Sequence, residues 1–252
     1  EACMIVLKTG RELKIMKEAC SISAGALETA GKAVEPGVTT AEIDRLAEEY
    51  IRRRGGEPNF KNYEGYPATA CISINNEVIH GIPSHTRKLR AGDIVSIDLG
   101  AKFDGYHGDN AATFACGDIS PEAKRLIDTT RESLYEGINA ARAGSRIGDI
   151  GHAVQSYVEA RGYTVVRQFV GHGVGTHLHE APEVPNFGTP GRGIRLIPGM
   201  TIAIEPMVNA GGFDVKVQPD GWTVLTKDGS LSAHFEHTIA ITADGPKIMT
   251  LV

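Results

Sequence analysis

The sequence predicts an α/β chain of two related halves, with strands meeting in one sheet and helices covering one side. Three observations predict it. The chain echoes itself at a fixed offset, Asp98 falling on Glu205, 107 positions on (205 − 98). Each copy reads as helix, glycine loop, helix and strand. Each strand ends on an acidic residue after an apolar run.

The elements follow in order. "RELKIMKEACSISAGALETAGKAV" has the periodicity of an amphipathic helix, and so does "PEAKRLIDTTRESLYEGINAA", where Pro121 suits the first turn. Next, "AVEPGVTTAEIDRLAEEYIRRRGG" at 33–56 lies over "AARAGSRIGDIGHAVQSYVEARGY" at 140–163. Gly37 meets Gly144, Ile43 meets Ile150, and Gly55 meets Gly162. Each block reads as a glycine-containing loop and a helix that stops at glycine. Downstream, "LRAGDIVSID" at 89–98 lies over "LIPGMTIAIE" at 196–205. The expected organisation is one domain over 1–252, with halves at about 8–118 and 119–252.

Bulk composition excludes several classes. The 252 residues are 41% hydrophobic and 23% charged, with a net charge of −5, so no basic surface argues for nucleic acid. No apolar stretch reaches the length of a membrane span. The opening "MIVL" reads as an edge strand or a docked arm, and Met4 as the natural start behind residues 1–3. Cys3, Cys20, Cys71 and Cys116 lack paired or metal-type spacing and are expected as reduced thiols in a cytoplasmic protein. No exposed apolar stripe is evident, so a monomer is expected.

"VSIDLGAKFDGYHGDN" at 95–110 reads as a hairpin turning at Asp104-Gly105. In that register Gly100 faces Asp109 and Asp98 faces Ala111. Asp98 and Asp109 then share a face as diagonal neighbours. Three further segments carry candidates: "QFVGHGVGTHLHE" with His172, "IAIEPM" with Glu205, and "SAHFEHTIAIT" with Glu236. Alternation is expected to turn His234 and His237 away from Glu236. Singly, each candidate has a dull explanation, such as a turn histidine or an exposed strand carboxylate. Together, two Asp, two Glu and one His would repel and resist ionisation unless a cation joined them. This oxygen-rich set suits Mn, Fe, Co or Zn rather than a thiolate zinc site. Two such metals sharing a water would support hydrolysis. Glycoside hydrolysis without metal needs only two carboxylates, and aromatic content is only 6%. No Gly-x-Ser-x-Gly, dinucleotide or phosphate-loop pattern is present.

The strings "SIDLGAKFDGYHGDNAATF", "GHGVGTHLHE", "AIEPM", "FEHTIAIT" and "NYEGYPATACISINNEVIHGIP" jointly resemble the methionine aminopeptidase family, peptidase family M24, in its short bacterial type 1 form. The resemblance runs from about residue 8 to the end. It implies the pita-bread fold, two pseudo-symmetric α/β halves sharing an antiparallel sheet. It implies a metalloexopeptidase that removes the initiator methionine of nascent polypeptides when the second residue is small. An encounter with the ribosome goes with that role. Asp98, Asp109, His172, Glu205 and Glu236 match the family's ligands to two divalent metals. Asp98 would chelate one metal and His172 the other. Asp109 and Glu236 would bridge, and Glu205 would also carry protons. His179 would donate to the scissile carbonyl, and His80 would contact the substrate near the amide. Tyr63, Tyr66, Cys71 and Trp222 would line the methionine pocket, with Phe60 where some members have cysteine. A monovalent cation would sit near Asn75, Glu77 and Ser232. No family role falls on His177. Xaa-Pro aminopeptidases share the ligands but add a large N-terminal domain, and type 2 enzymes add a helical insertion; neither is expected here. A non-catalytic peptide-binding relative would lose ligands, and all five stand in this chain.

Overall fold

Thr9 opens the first helix as a capping box: its N–H donates to Glu12 Oε2 at 2.7 Å, and the Glu12 N–H donates back to the Thr9 hydroxyl. Helix α1 then runs Gly10–Lys32 and α2 Thr40–Arg53. The second half repeats the pair. Ser120 caps α3 (Pro121–Ala140), with Pro121 in its first turn, and α4 spans Ile147–Glu159. The computed structural model describes residues 5–252. Cys3 and Met4 lie outside the described residues.

The first half supplies strands β1 (Glu57–Pro58), β2 (Ala70–Ile74), β3 (Glu77–Ile79), β4 (Ile94–Phe103) and β5 (Tyr106–Ala115). The second supplies β6 (Thr164–Val165), β7 (Gly171–Gly173), β8 (Glu180–Val184), β9 (Thr201–Ile204), β10 (Met207–Asn209), β11 (Val215–Val217), β12 (Val224–Thr226), β13 (Ser232–His234), β14 (Glu236–Thr242) and β15 (Gly245–Ile248). Among the described residues, a curled antiparallel sheet runs β1-β4-β5-β14-β9-β7-β8, with β2 on β4 and β15 on β14. Small sheets β13-β10-β6 and β11-β12-β3 flank it. The two halves meet where β5 pairs with β14 and where β3 pairs with β12.

The β4–β5 hairpin has the expected register without a bulge. Asp104 (φ 47°) and Gly105 (φ 82°) both take the left-handed conformation that a two-residue turn needs to match strand twist. The echo is also visible in the backbone. Gly37 (φ 91°) and Gly144 (φ 93°) donate their N–H to the carbonyls of Leu89 and Leu196, each at 2.8 Å. Isolated bridges join Thr39 to Lys88 and Arg146 to Arg195 at the same offset.

Two apolar cores lie between helices and sheet. Ile22, Ile43 and Ile51 of α1 and α2 pack on Ile97 and Leu99 of β4. Leu134, Ile138, Ile150 and Val154 of α3 and α4 pack on Ile202, Ile204, Ile239 and Ile241. Alternation therefore turns Asp98, Glu205 and Glu236 to the side of the sheet away from these cores. The opening segment is a docked arm rather than a strand: Ile5 packs on the second core, and the Lys8 N–H donates to Gly199 O at 2.8 Å. Cys20, Cys71 and Cys116 are buried free thiols. No described helix is long and apolar enough to cross a membrane.

Candidate active site

Strand register alone brings the acids together. Cys71 pairs with Asp98, Asp98 with Ala111, and Ala111 with Glu236. The ladder opens after His237↔Ile204 and resumes at His234↔Met207 on the same register. That register sets Glu236 opposite Glu205 across the gap, where Pro206 cannot donate to the ladder. Cys71, Asp98, Ala111, Glu236 and Glu205 thus form one row over four strand boundaries. Asp109 sits two residues from Ala111 on the same face. Its main chain is held by Thr238, whose hydroxyl accepts the Asp109 N–H at 3.2 Å and donates to its carbonyl at 2.7 Å. His172 faces the row from between Gly171 and Gly173. A Cβ on Gly173 would lie 2.3 Å from the Ala181 carbonyl, and one on Gly171 2.3 Å from that of Ala203. The Gly-His-Gly string is therefore a tight strand crossing rather than a loose turn.

Donor atoms of Asp109, His172 and Glu236 lie within 4.8 Å of one another. His172 Nε2 stands 3.7 Å from Asp109 Oδ2 and 3.5 Å from Glu205 Oε1. Its Nδ1 lies 2.8 Å from the Gly173 carbonyl, which places the proton on Nδ1 and leaves Nε2 as a lone pair toward the acids. Asp98 Oδ1, Asp109 Oδ1 and Glu236 Oε1 are buried without a hydrogen-bond partner. Burial pushes the Asp98 carboxyl up to about 7. Burial first, then the neighbouring carboxylates, hold Asp109, Glu205 and Glu236 well above the usual range. Burial holds His172 neutral, down to about 3. Orphaned oxygens around an unprotonated imidazole nitrogen fit a divalent cation, and among the described residues no lysine or arginine lies within ion-pair distance of these acids to take its place.

All five donors line one cavity together with His80, His179, Tyr63, Tyr66, Cys71 and Trp222. Tyr66 donates to the carbonyls of Ala70 (3.1 Å) and Gly81 (2.9 Å), so its hydroxyl is occupied and its ring is held as an apolar wall. The Trp222 ring meets it edge-on at 5.1 Å. His80 takes a left-handed φ of 60°, and its ring lies edge-on to Phe169 at 5.7 Å and to Trp222 at 6.2 Å. Burial keeps it neutral, down to about 4. His179 Nδ1 lies 2.8 Å from the Tyr63 hydroxyl, and its ring stands 4.2 Å from that of His172.

The structure adds wall residues that the sequence reading missed, Phe169 and Ile79 beside Phe60. Each has one apolar neighbour, Val170 or Val78, in an otherwise polar stretch, and only placement marks them. His237 points away from the site, with Nδ1 2.8 Å from Thr250 Oγ1. His234 does not, which corrects the expectation: its Nε2 lies 3.7 Å from Glu205 Oε2. Positions 234 and 236 differ by two, so alternation puts them on the same side, not opposite sides. At the expected monovalent-cation site, the Asn75 carbonyl accepts the Ser232 N–H at 2.9 Å. The Glu77 carboxylate there accepts from the Ile74 N–H and from Arg87.

A family model described as metallopeptidase family M24 matches residues 14–243. The chain belongs to that family. It is 54% identical to methionine aminopeptidase of Clostridium acetobutylicum over 248 residues, covering 98% of this chain and 99% of that protein. The solved methionine aminopeptidase of Thermotoga maritima superposes with a TM-score of 0.97 at 45% identity, covering 99% of this chain and 100% of that one. The prolidase of Pyrococcus furiosus shares the fold, with a TM-score of 0.80 at 24% identity, but this chain spans only 66% of it.

Proposed function

We propose that this chain is a methionyl aminopeptidase that removes the initiator methionine from polypeptides whose second residue is small. The carrying observation is one cavity lined both by five side chains of metal-ligating type and by Tyr66, Cys71 and Trp222 beside them. We read the whole chain as one catalytic domain with halves at about 8–118 and 119–252, acting as a monomer on nascent chains at the ribosome in the cytoplasm.

Asp98, Asp109, His172, Glu205 and Glu236 would hold two divalent cations, of Mn, Fe, Co or Zn type. When bound, such ions supply a water of lowered pKa and polarise the scissile carbonyl. The chain's own groups do the rest. The Tyr63 hydroxyl donates to His179 Nδ1 and keeps its proton on Nε2, where it donates to the carbonyl oxygen. Neutral His80 contacts the amide. Glu205 carries the proton from the attacking water to the leaving amine. Tyr66, Cys71 and Trp222 take the unbranched methionine side chain, with the Cys71 thiol kept neutral by burial.

The test is release of free methionine from Met-Ala-Ser by chelated protein before and after adding Mn or Co. Activity should appear only with metal, and full turnover by metal-free protein refutes the reading. Norleucine in place of methionine should be cut within about tenfold, since the change is worth ~1–3 kcal/mol at most. Leucine branches too early for the wall and should be poor. Equal cleavage of Met-Ala-Ser and Leu-Ala-Ser would remove the pocket assignment.

A further inference from the structure

His234 ends β13 with its main chain clamped. Its N–H donates to Thr113 Oγ1 and its carbonyl accepts from the same hydroxyl, both at 2.9 Å. The residue is 0% exposed, and neither ring nitrogen has a hydrogen-bond partner among the described residues. A neutral imidazole brings one donor and one acceptor, and each costs ~1–3 kcal/mol when buried unpaired. A purely structural role would favour an apolar side chain here. Its Nε2 instead faces Glu205 Oε2 at 3.7 Å, while Glu205 Oε1 lies 3.5 Å from His172 Nε2. The Glu205 carboxylate therefore stands between two imidazoles. His172 is on the cavity side, and His234 is behind, outside the cavity lining.

We propose that His234 is the positioning residue for Glu205: its Nε2–H holds Oε2 from behind, so that Oε1 stays turned toward His172 and the cation site. A shift of about 0.8 Å brings the pair to the ordinary N–H···O length. The strand makes this posture available. Thr113 fixes the His234 backbone, and the Asn186 amide donates to the Glu205 carbonyl at 3.0 Å. Both main chains are anchored, so only the carboxylate needs to rotate. A donor behind a metal-binding carboxylate fixes which oxygen ligates and favours its ionised form. The inference rests on the role proposed above for Glu205. His234 touches neither substrate nor cation, so it acts only through that carboxylate.

The test compares His234→Leu and His234→Gln with the unmodified protein. Two readouts are taken: the Mn dissociation constant of chelated protein by calorimetry, and kcat and KM on Met-Ala-Ser. His234→Leu should bind Mn 10–100-fold more weakly, the usual consequence of losing an outer partner of a ligand, and kcat should fall by a similar factor with KM little changed. His234→Gln keeps an N–H donor of similar reach and should recover most of both. Should His234→Leu fail to fold, His234→Asn takes its place: its shorter amide cannot reach Oε2, and it should show the same losses. Unchanged Mn affinity and kcat in a folded Leu or Asn variant overturns the proposal, as does a Gln variant as impaired as Leu. An unmodified protein that neither binds Mn nor releases methionine overturns the Glu205 role itself; an active one with an unaffected Leu variant overturns only His234.

Discussion

Three carboxylate oxygens of the site, on Asp98, Asp109 and Glu236, are buried with nothing among the described residues to bond. Left alone each would cost ~1–3 kcal/mol, and the native fold keeps all of them. A bound cation would offset that cost. The residues around the row divide into those that would hold the cation and those that would act on substrate, and substitution separates them. His179→Ala removes a side chain of the cavity lining while leaving the five candidate ligands in place. Its kcat on Met-Ala-Ser should fall on the order of 100-fold or more, with metal content and melting temperature close to the parent. Asp109→Ala should lose metal, read by elemental analysis after dialysis. Wild-type turnover by the His179 variant would remove that residue from the chemistry.

The elements carry the echo between halves into testable form. Gly37 and Gly144 have matching left-handed backbone angles, the same bond to the following strand, and open space where a Cβ would sit. Each change to alanine is thus a pure backbone cost of about 1–2 kcal/mol, and the two should agree in urea titrations. A cost at one position only would show that the loops do different work. The docked arm is the element that breaks the echo. Lys8 forms a buried ion pair with Glu180, their side chains 2% and 8% exposed. The Glu180 carboxylate also accepts the His177 N–H, so the arm braces the loop that carries His179. Lys8→Met leaves a buried carboxylate alone and should destabilise by ~3–5 kcal/mol, whereas Lys8→Met with Glu180→Gln should recover much of that loss. Equal urea midpoints for Lys8→Met and the parent would show that the pair contributes nothing.

At the scale of the molecule, the row couples stability to pH and to metal. In chelated protein burial raises the Asp98 carboxyl to about 7, and the other three acids are raised as well. Below about pH 4 both folded and unfolded forms are protonated and no penalty exists. As pH climbs the unfolded chain ionises first, so these groups lower stability progressively up to and beyond about 7. The buried histidines work in the opposite sense. His80, held down to about 4, and His172, to about 3, cost stability only as pH falls below about 6.5. Above that pH the acids dominate. Metal binding displaces their protons, so the gap in melting temperature between Mn-loaded and chelated protein should widen from pH 6 to pH 8. A constant gap over that range would mean the acids are already ionised without metal.

The sequence by itself determined the helices, the β4–β5 turn and register, and the repeat of helix, loop and strand, and it marked the five candidate ligands. These follow from local rules: a cap, a glycine at positive φ, an alternation of two, a carboxylate where an apolar strand should end. His80 and His179 were marked only by the family resemblance, since no local rule separates them from the other loop histidines. Only the tertiary structure decided how the candidate ligands come together. The row from Cys71 to Glu205 needs strands from both halves paired in one register, and no periodicity reports pairing between distant segments. Phe169 and Ile79 became pocket wall for the same reason, because an apolar side chain looks alike in a core and in a pocket. His234 shows the limit most directly. The sequence reading turned it away from Glu236, where counting by twos puts it on the same side, and that it stands unpaired behind Glu205 depends on the ladder opening beside Pro206.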